Sequence, residues 1–397
     1  MNLSTLNFVL IIIGYPLVTT LLLPSNSDLE NISQSITIPF RIFCLSLMIL
    51  VTFLNISFKT QITASLKVLG LVWLLWIFRI FYDLYINGNT IDGAAQLWLY
   101  VLGICIPAMI SITKSINKID SKMALDWIWY SLSLILIVTL FSNQALIGNT
   151  DKELRVDGNI ALNSISYGNV GTLAFILTLY RVMQTKIKSR WILLLHIIIG
   201  ILSFYSVLRA GSRGPVINLF FTLFFWYFSI RKNALVGIVV VCFFILGLFI
   251  FRDFFLELLG DIAPVIESRF RDTLEGNSND GRDVLHSKAI DAFFQSPLIG
   301  QQFGIFDGNG GYAYSHNLLL DFLMGLGLVG GGMLLYILSK AIKLLYYSIK
   351  NKDNFFWVSL ILLQQLFSSM FSGTFYQDQI LTALLTFVFI KYKNFSK

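Results

Sequence analysis

Charged residues are scarce in this chain. They make up 13% of its 397 residues, while 56% are hydrophobic and 15% are aromatic, and the mean hydropathy is +0.74. A soluble core of this size cannot bury so much apolar surface. The composition therefore excludes a soluble globular protein, and it predicts an all-α polytopic membrane protein with a single transmembrane domain over residues 1–397.

Cysteine and recognisable metal or nucleotide motifs are also rare. Cys44, Cys105 and Cys242 all fall inside apolar runs, which argues against a disulfide framework or a paired-cysteine metal site. The chain has no Walker A lysine loop, no His-Glu-x-x-His motif and no Asp-x-Asp cluster in its outer segments. We therefore expect neither a metal nor a cofactor.

Apolar runs are abundant instead, and a helix needs about 20 such residues to cross a bilayer. The first run has no basic stretch before it and no small-residue cleavage site, so we expect a retained helix and not a signal peptide. The last run is short, so eleven spans or a re-entrant final segment remain alternatives to twelve. The twelve predicted spans are 6–23, 38–56, 66–82, 94–112, 124–141, 160–180, 191–208, 214–230, 234–251, 315–338, 355–372 and 376–390.

Basic residues lie mainly on one side of this arrangement. That side holds 18 of the 29 Lys and Arg residues and, of the 22 acids, only Asp120, Asp126 and Asp353. The positive-inside rule then places both termini in the cytoplasm and explains the net charge of +7 without a nucleic-acid partner. The basic residues are Lys59, Lys67, Lys114, Lys118, Lys122, Arg181, Lys186, Lys188, Arg190, Arg231, Lys232, Lys340, Lys343, Lys350, Lys352, Lys391, Lys393 and Lys397.

The longest polar segment, residues 252–314, lies on the opposite, outer side between the ninth and tenth spans. Loops of this length are usually functional or disordered. Apolar spacing predicts a membrane-surface helix over Phe254–Phe270 and a second helix over Asp283–Phe294, which ends before Pro297. We therefore expect a large, partly helical outer loop.

Arg209 and Arg213 flank Gly211 in a tight outer turn. The forked donors of two guanidinium groups suit phosphate oxygens. Gly214 and Pro215 would open the next helix, whose first amides point toward the same anion. Arginine is unexpected at an outer boundary, so we interpret the pair as a phosphate clamp, with binding to lipid headgroups or loop acids as the alternative.

Arg155 and Arg282 could assist this clamp or could form local ion pairs with neighbouring acids. Arg269 and Arg271 are interpreted as ion-pairing residues of a loop that carries ten acids and five bases.

Other ionisable residues are interpreted as structural. Arg79 and Asp83 have the spacing of an ion pair along a helix. His196 lies in the middle of a predicted span, where a packed or interhelically bonded residue is expected. His286, on a charged loop helix, is expected to be solvated.

His316 stands where a glycine-rich segment meets the tenth predicted span. A neutral imidazole at this interface can accept a proton from a hydroxyl near neutral pH or donate to a phosphate. Asn317 follows it, and Asp321, one turn further on, is either a polar partner or an interhelical hydrogen-bonding residue. We therefore interpret His316 as functional.

At these residues the chain resembles the O-antigen ligase and polymerase superfamily, which are bacterial membrane glycosyltransferases of the GT-C type. Twelve helices with a large loop between the ninth and tenth are similar to that family as well. The matching segments are Ser212-Arg213-Gly214, Gly281-Arg282, Ser296-Pro297-Leu298-Ile299-Gly300, His316-Asn317 with Gly327 after ten intervening residues, and Arg155 to Gly168 with Asn163 and Tyr167.

The resemblance implies an enzyme of the bacterial inner membrane whose site and 252–314 loop face the periplasm. It would transfer an oligosaccharide from undecaprenyl diphosphate to a sugar hydroxyl, with inversion and without a metal. Arg209 and Arg213 would hold the diphosphate, and His316 would orient or deprotonate the acceptor hydroxyl. The further substrate-binding residues would be Arg155, Arg282, Asn317, Ser212 and Gly214.

The acceptor stays open at this point. A polymerase uses another lipid-linked glycan, and we favour it because diverse polymerases are common. The spacing of His316 and Gly327 instead favours a ligase, which uses lipid A-core or a protein. Membrane lipid and a chain-length regulator are the other expected partners. A flippase for the same lipid is the alternative from another class, although no internal repeat supports it.

Overall fold

The computed structural model describes residues 1–22, 30–56, 62–141, 146–147, 155–158, 162–184, 189–230, 252–275 and 281–392. The chain divides into two compact units. Unit 1 comprises Met1–Ile12, Ile38–Leu125 and Asp280–Lys397, and unit 2 comprises Ile13–Thr37 and Asp126–Asn279. The structure is all-helical apart from a few short strands, as the sequence predicts.

The helices are numbered along the chain. Their bounds are α1 Leu3–Leu22, α2 Glu30–Leu54, α3 Ala64–Ile86, α4 Ala94–Lys118, α5 Ser121–Phe141, α6 Ser164–Gln184, α7 Arg190–Arg209, α8 Arg213–Ile230, α9 Arg252–Ile262, α10 Pro264–Leu274, α11 Arg282–Gln295, α12 Leu318–Asn351, α13 Phe356–Phe371 and α14 Gln379–Lys391. Two short antiparallel pairs join β1 Leu146–Ile147 to β2 Arg155–Val156, and β3 Ile305–Phe306 to β4 Tyr312–Ala313.

Seven of the described helices are long and apolar enough to cross a membrane, namely α1, α2 from Ser35, α3, α4, α5, α7 and α12. Helices α13 and α14 are apolar but shorter. The predicted spans 160–180 and 214–230 coincide with α6 and α8, whereas the predicted span 234–251 lies outside the described residues. These helices indicate a membrane protein, and the count of twelve stays a prediction.

In unit 2, small residues let α6 approach α7 closely. A Cβ atom on Gly171 would lie 2.9 Å from the carbonyl oxygen of Ser203, so the helix backbones nearly touch. Tyr167, fully buried, has its hydroxyl 3.2 Å from that of Ser206. These contacts fix the C-terminal part of α7, where the arginine turn begins.

His196 bonds between helices, as predicted. Arg181 on α6 donates from Nε to Nε2 of His196 on α7 at 3.1 Å, and it also pairs with Asp126 on α5. Because Nε2 accepts, the ring proton is on Nδ1, which lies 2.7 Å from the Ile192 carbonyl oxygen. The network therefore joins three helices of unit 2 near their basic ends.

In unit 1, α12 is interrupted at Gly327, whose φ of 61° and ψ of −156° are not helical. The break releases two amides: Leu328 donates to the carbonyl of Pro297 at 2.8 Å, and Val329 donates to that of Leu298 at 3.2 Å. A Cβ atom on Gly327 would lie 2.4 Å from the Leu298 carbonyl carbon. Both the backbone conformation and the close approach therefore require glycine.

The predicted ion pair between Arg79 and Asp83 is confirmed, with 3.4 Å between Nη1 and Oδ1. Both residues also form hydrogen bonds with the segment that precedes α12. Asp83, fully buried, accepts from the backbone N–H of Phe303 at 2.6 Å. Arg79 donates to three successive carbonyl oxygens, those of Ile299 (2.8 Å), Gly300 (2.7 Å) and Gln301 (3.1 Å).

The single helix predicted over Phe254–Phe270 is wrong. Two helices, α9 and α10, replace it, because Ala263 leaves the helical conformation and Pro264 occupies the first turn of α10, where its missing N–H costs nothing. The second predicted loop helix is confirmed as α11. Helix α12 continues to Asn351, well beyond the predicted 338, since no helix breaker stands between these positions.

Candidate functional site

Arg209 and Arg213 lie at the two ends of the predicted tight turn, which the structure confirms. α7 ends at Arg209 and α8 begins at Arg213. Gly211 has a φ of +62°, which glycine adopts without steric cost, and its N–H donates to the Leu208 carbonyl at 3.1 Å. The turn therefore holds both arginines at one end of two adjacent helices of unit 2.

Backbone carbonyls orient these guanidinium groups. Arg209 donates to the Thr139 carbonyl at 3.4 Å, and Arg213 donates to that of Arg269 at 3.1 Å. Arg269 in turn donates to the carbonyl of Gly211 at 3.3 Å. The turn consequently concentrates three positive side chains.

The interpretation of Arg269 as a simple ion-pairing residue missed its contact with the turn. Its neighbour Arg271 does form the expected pair, with Glu267 at 2.7 Å. Helix α10 reaches the turn through an apolar cluster of Leu208, Ala263 and Ile266, against which Val216 and Phe270 pack. The apolar spacing around Ile266 was visible in the sequence, but its packing partner was not.

Ser212 and Gly214 complete the turn. Ser212 is buried, and a Cβ atom on Gly214 would meet nothing within 4 Å. Arg213 and Gly214 form the first turn of α8, where amide groups have no partner within the helix. These amides and the three arginines are groups of the kind that bind anions.

Arg155 is described only in its backbone, which pairs with Ile147 between β1 and β2; its side chain lies outside the described atoms. Nearby, Asn163 caps α6 by accepting from the Ser166 N–H at 2.9 Å. Burial raises the pKa of Asp157, against the opposing effect of a backbone hydrogen bond from Ser164. This part of the motif therefore sets the start of α6.

His316, in unit 1, has a left-handed backbone with a φ of +58°. Its half-buried ring lies 4.4 Å from the ring of Tyr314, measured between centroids. Its Nδ1 atom is buried and has no hydrogen-bond partner among the described residues. Asn317 follows as the N-cap of α12 and accepts from the amides of Leu319 and Leu320.

Burial lowers the pKa of His316 below its usual value, and the charges of Arg282 and His286 lower it further. Arg282 and His286 are four residues apart, so they share one face of α11. Arg282 donates to the Phe371 carbonyl at 3.1 Å. His286 was expected to be solvated, but it is half-buried and its Nε2 atom is buried without a described partner. His316 is therefore neutral at pH 7 and can accept a proton.

The structure thus brings the site residues together in two sets. Unit 2 holds Arg209, Ser212, Arg213 and Gly214 around one turn, and unit 1 holds Arg282, His316 and Asn317. Within the described ranges, no three His, Cys, Asp or Glu side chains cluster as a metal site requires. In comparisons with known proteins, no family model and no curated protein matches the chain.

Proposed function

We propose that this protein is a membrane glycosyltransferase that moves an oligosaccharide from undecaprenyl diphosphate to a sugar hydroxyl, acting as a polymerase of O-antigen or a similar surface polysaccharide. The observation that carries the proposal is the concentration of Arg209, Arg213 and Arg269 around the Gly211 turn. A diphosphate leaving group gains negative charge as its bond to the sugar breaks, and oriented arginines stabilise that charge.

In this proposal Arg209 and Arg213 bind the diphosphate. Arg269 orients Arg213 through its backbone carbonyl and adds a positive charge. The first amides of α8, with Ser212 and Gly214, supply further hydrogen-bond donors. Arg155 and Arg282 are assigned as further substrate-binding residues. No metal is invoked, since the arginines supply the positive charge.

His316 acts on the acceptor. Its neutral ring takes the proton of the acceptor hydroxyl as the hydroxyl oxygen bonds to the anomeric carbon. The bond from that carbon to the diphosphate oxygen breaks on the opposite face, and its electron pair leaves with the diphosphate. The configuration at the anomeric carbon is therefore inverted.

For this reaction we place the protein in a bacterial inner membrane with twelve spans, both termini in the cytoplasm and residues 252–314 in the periplasm. The positive-inside distribution of Lys and Arg supports this orientation. An Arg271→Cys variant in spheroplasts should react with an impermeant maleimide, whereas Lys350→Cys should react only after lysis. The opposite pattern would overturn the orientation.

The acceptor distinguishes the polymerase from the ligase alternative. Purified protein in vesicles receives undecaprenyl-diphosphate oligosaccharide, and the products are separated on a gel. Longer lipid-linked chains support the polymerase. Product that forms only after lipid A-core is added supports the ligase, which the spacing of His316 and Gly327 favours. Movement of labelled lipid across the bilayer without any product would refute transfer and support a flippase.

Two substitutions test the assigned residues. Arg213→Ala and His316→Ala should each lower the rate of product formation by about 10²-fold or more, while the protein stays folded. Arg271→Ala is the matched control, because Arg271 is an exposed loop arginine paired with Glu267. Its rate should equal that of the unmodified protein, and retained activity in either test variant removes that residue from the mechanism.

A further inference from the structure

The backbone of His316 is held in a conformation that it would not adopt unaided. Its φ of +58° lies in the left-handed region, which non-glycine residues occupy when their neighbours impose it. Its ring makes a 4.4 Å aromatic contact with Tyr314, but the residues on either side of it carry the described polar contacts. The hydrogen bonds of Ser315 and Asn317 therefore explain the conformation of His316.

Asp321 fixes Ser315 through one oxygen. Its Oδ1 accepts from the backbone N–H of Ser315 at 2.9 Å and lies 2.7 Å from the Ser315 hydroxyl. That hydroxyl also lies 2.9 Å from the Asn317 carbonyl oxygen and accepts from the Asn317 N–H at 3.2 Å. Ser315 and Asn317 are thus tied to each other and to Asp321, with His316 between them.

Asp321 is not needed to cap α12, the helix to which it belongs. Asn317 already caps α12, and Asp321 occupies its first turn with no exposed surface. Its second oxygen, Oδ2, is buried and has no hydrogen-bond partner among the residues that the structure describes. Burying a carboxylate is costly, so a buried acid at the edge of an apolar helix calls for a specific role.

We infer that Asp321 is a positioning residue, which sets the backbone of His316, and hence the direction of its ring, by holding Ser315. The functional part of this inference rests on the proposed role of His316 toward the acceptor. The positioning itself does not, and can be measured without any substrate.

The first measurement is the rate at which diethyl pyrocarbonate modifies His316, followed by peptide mass spectrometry on purified protein. Asp321→Ala should raise this rate about tenfold, because His316 then leaves the left-handed conformation and its half-buried ring becomes more accessible. Asp321→Asn keeps an oxygen acceptor and should match the unmodified protein. The matched control is Asp353→Ala, since Asp353 also accepts a backbone N–H, from Phe355 at 2.8 Å, but just beyond the other end of α12.

The second measurement is the rate of transfer. Asp321→Ala should lower kcat by about 10²-fold with KM for the lipid-linked donor unchanged, and Asp321→Asn should restore most of the rate. Unchanged modification of His316 in Asp321→Ala would overturn the inference, and so would an Asp321→Asn variant as defective as the alanine variant.

Two further outcomes keep the inference separate from folding and from the proposed function. If Asp321→Ala does not fold, Ser315→Ala, which keeps the backbone bond to Asp321 but loses the hydroxyl, must itself raise the modification rate, or the inference fails. If the unmodified protein makes no product while the modification pattern is as expected, the proposed function fails and the positioning stands.

Discussion

Replacing Gly327 with alanine should separate α12 from the segment that precedes it. Alanine at the φ of 61° and ψ of −156° of this position occupies a region essentially restricted to glycine, which costs about 1–3 kcal/mol. The added Cβ atom would lie 2.4 Å from the Leu298 carbonyl carbon, so this segment must move away. Its movement breaks the bonds from Leu328 to Pro297 and from Val329 to Leu298, at about 1 kcal/mol each. The sum is about 3–5 kcal/mol.

The assay is thermal unfolding of the purified protein in detergent, in which this loss should lower the apparent unfolding temperature by roughly 4–6 °C. Gly332→Ala is the matched control. It lies in the same helix, and its Cβ atom would meet nothing within 4 Å. Alanine there should leave the temperature unchanged or raise it, because alanine favours a helix over glycine by up to about 1 kcal/mol. A Gly327→Ala protein that unfolds at the unmodified temperature would refute the described contact.

Three other predictions concern the site and its support. Because the pKa of His316 is lowered from 6.5, the transfer rate should fall as the ring gains a proton, with a midpoint below pH 6.5; His286→Gln, which removes one of the groups that lower this pKa, should move the fall to higher pH. Arg269→Ala removes the hydrogen bond from Arg269 to the Gly211 carbonyl, which is worth about 1.4 kcal/mol, and should therefore raise KM for the lipid-linked donor by about tenfold. Arg271→Ala should leave this KM unchanged. Arg79→Lys should destabilise the protein by about 2 kcal/mol in thermal unfolding, since lysine cannot bind three carbonyls with a planar fork, and an unchanged unfolding temperature would contradict this.

The helices were predictable because apolar periodicity acts over many residues at once. Local breaks were harder to place. Pro264 splits the predicted outer-loop helix, although the apolar spacing on both sides of it is continuous. The interruption at Gly327 depends on hydrogen bonds to a segment about thirty residues earlier, which no local pattern reveals, and several glycines nearby gave no reason to choose that one.

The candidate charged residues could be selected from the sequence, since arginine at a predicted outer boundary and histidine beside a glycine-rich segment are both unusual. Their surroundings could not. Arg269 looked like an ordinary loop residue, because its contact with the Gly211 carbonyl requires the packing of α10. Asp321 could be assigned as a polar partner, but not to Ser315, because that contact exists only when the chain turns at His316.

The join between α12 and the segment before it also bears on how the chain enters a bilayer. Pro297 and Leu328 are about thirty residues apart. The N–H groups of Leu328 and Val329, which the break at Gly327 leaves without partners inside the helix, therefore donate to carbonyls that are synthesised earlier. A contact between such close neighbours can form early, during insertion of the helix itself. The interrupted helix would then not expose unbonded N–H groups to lipid, because the segment whose carbonyls accept from them enters the membrane region first.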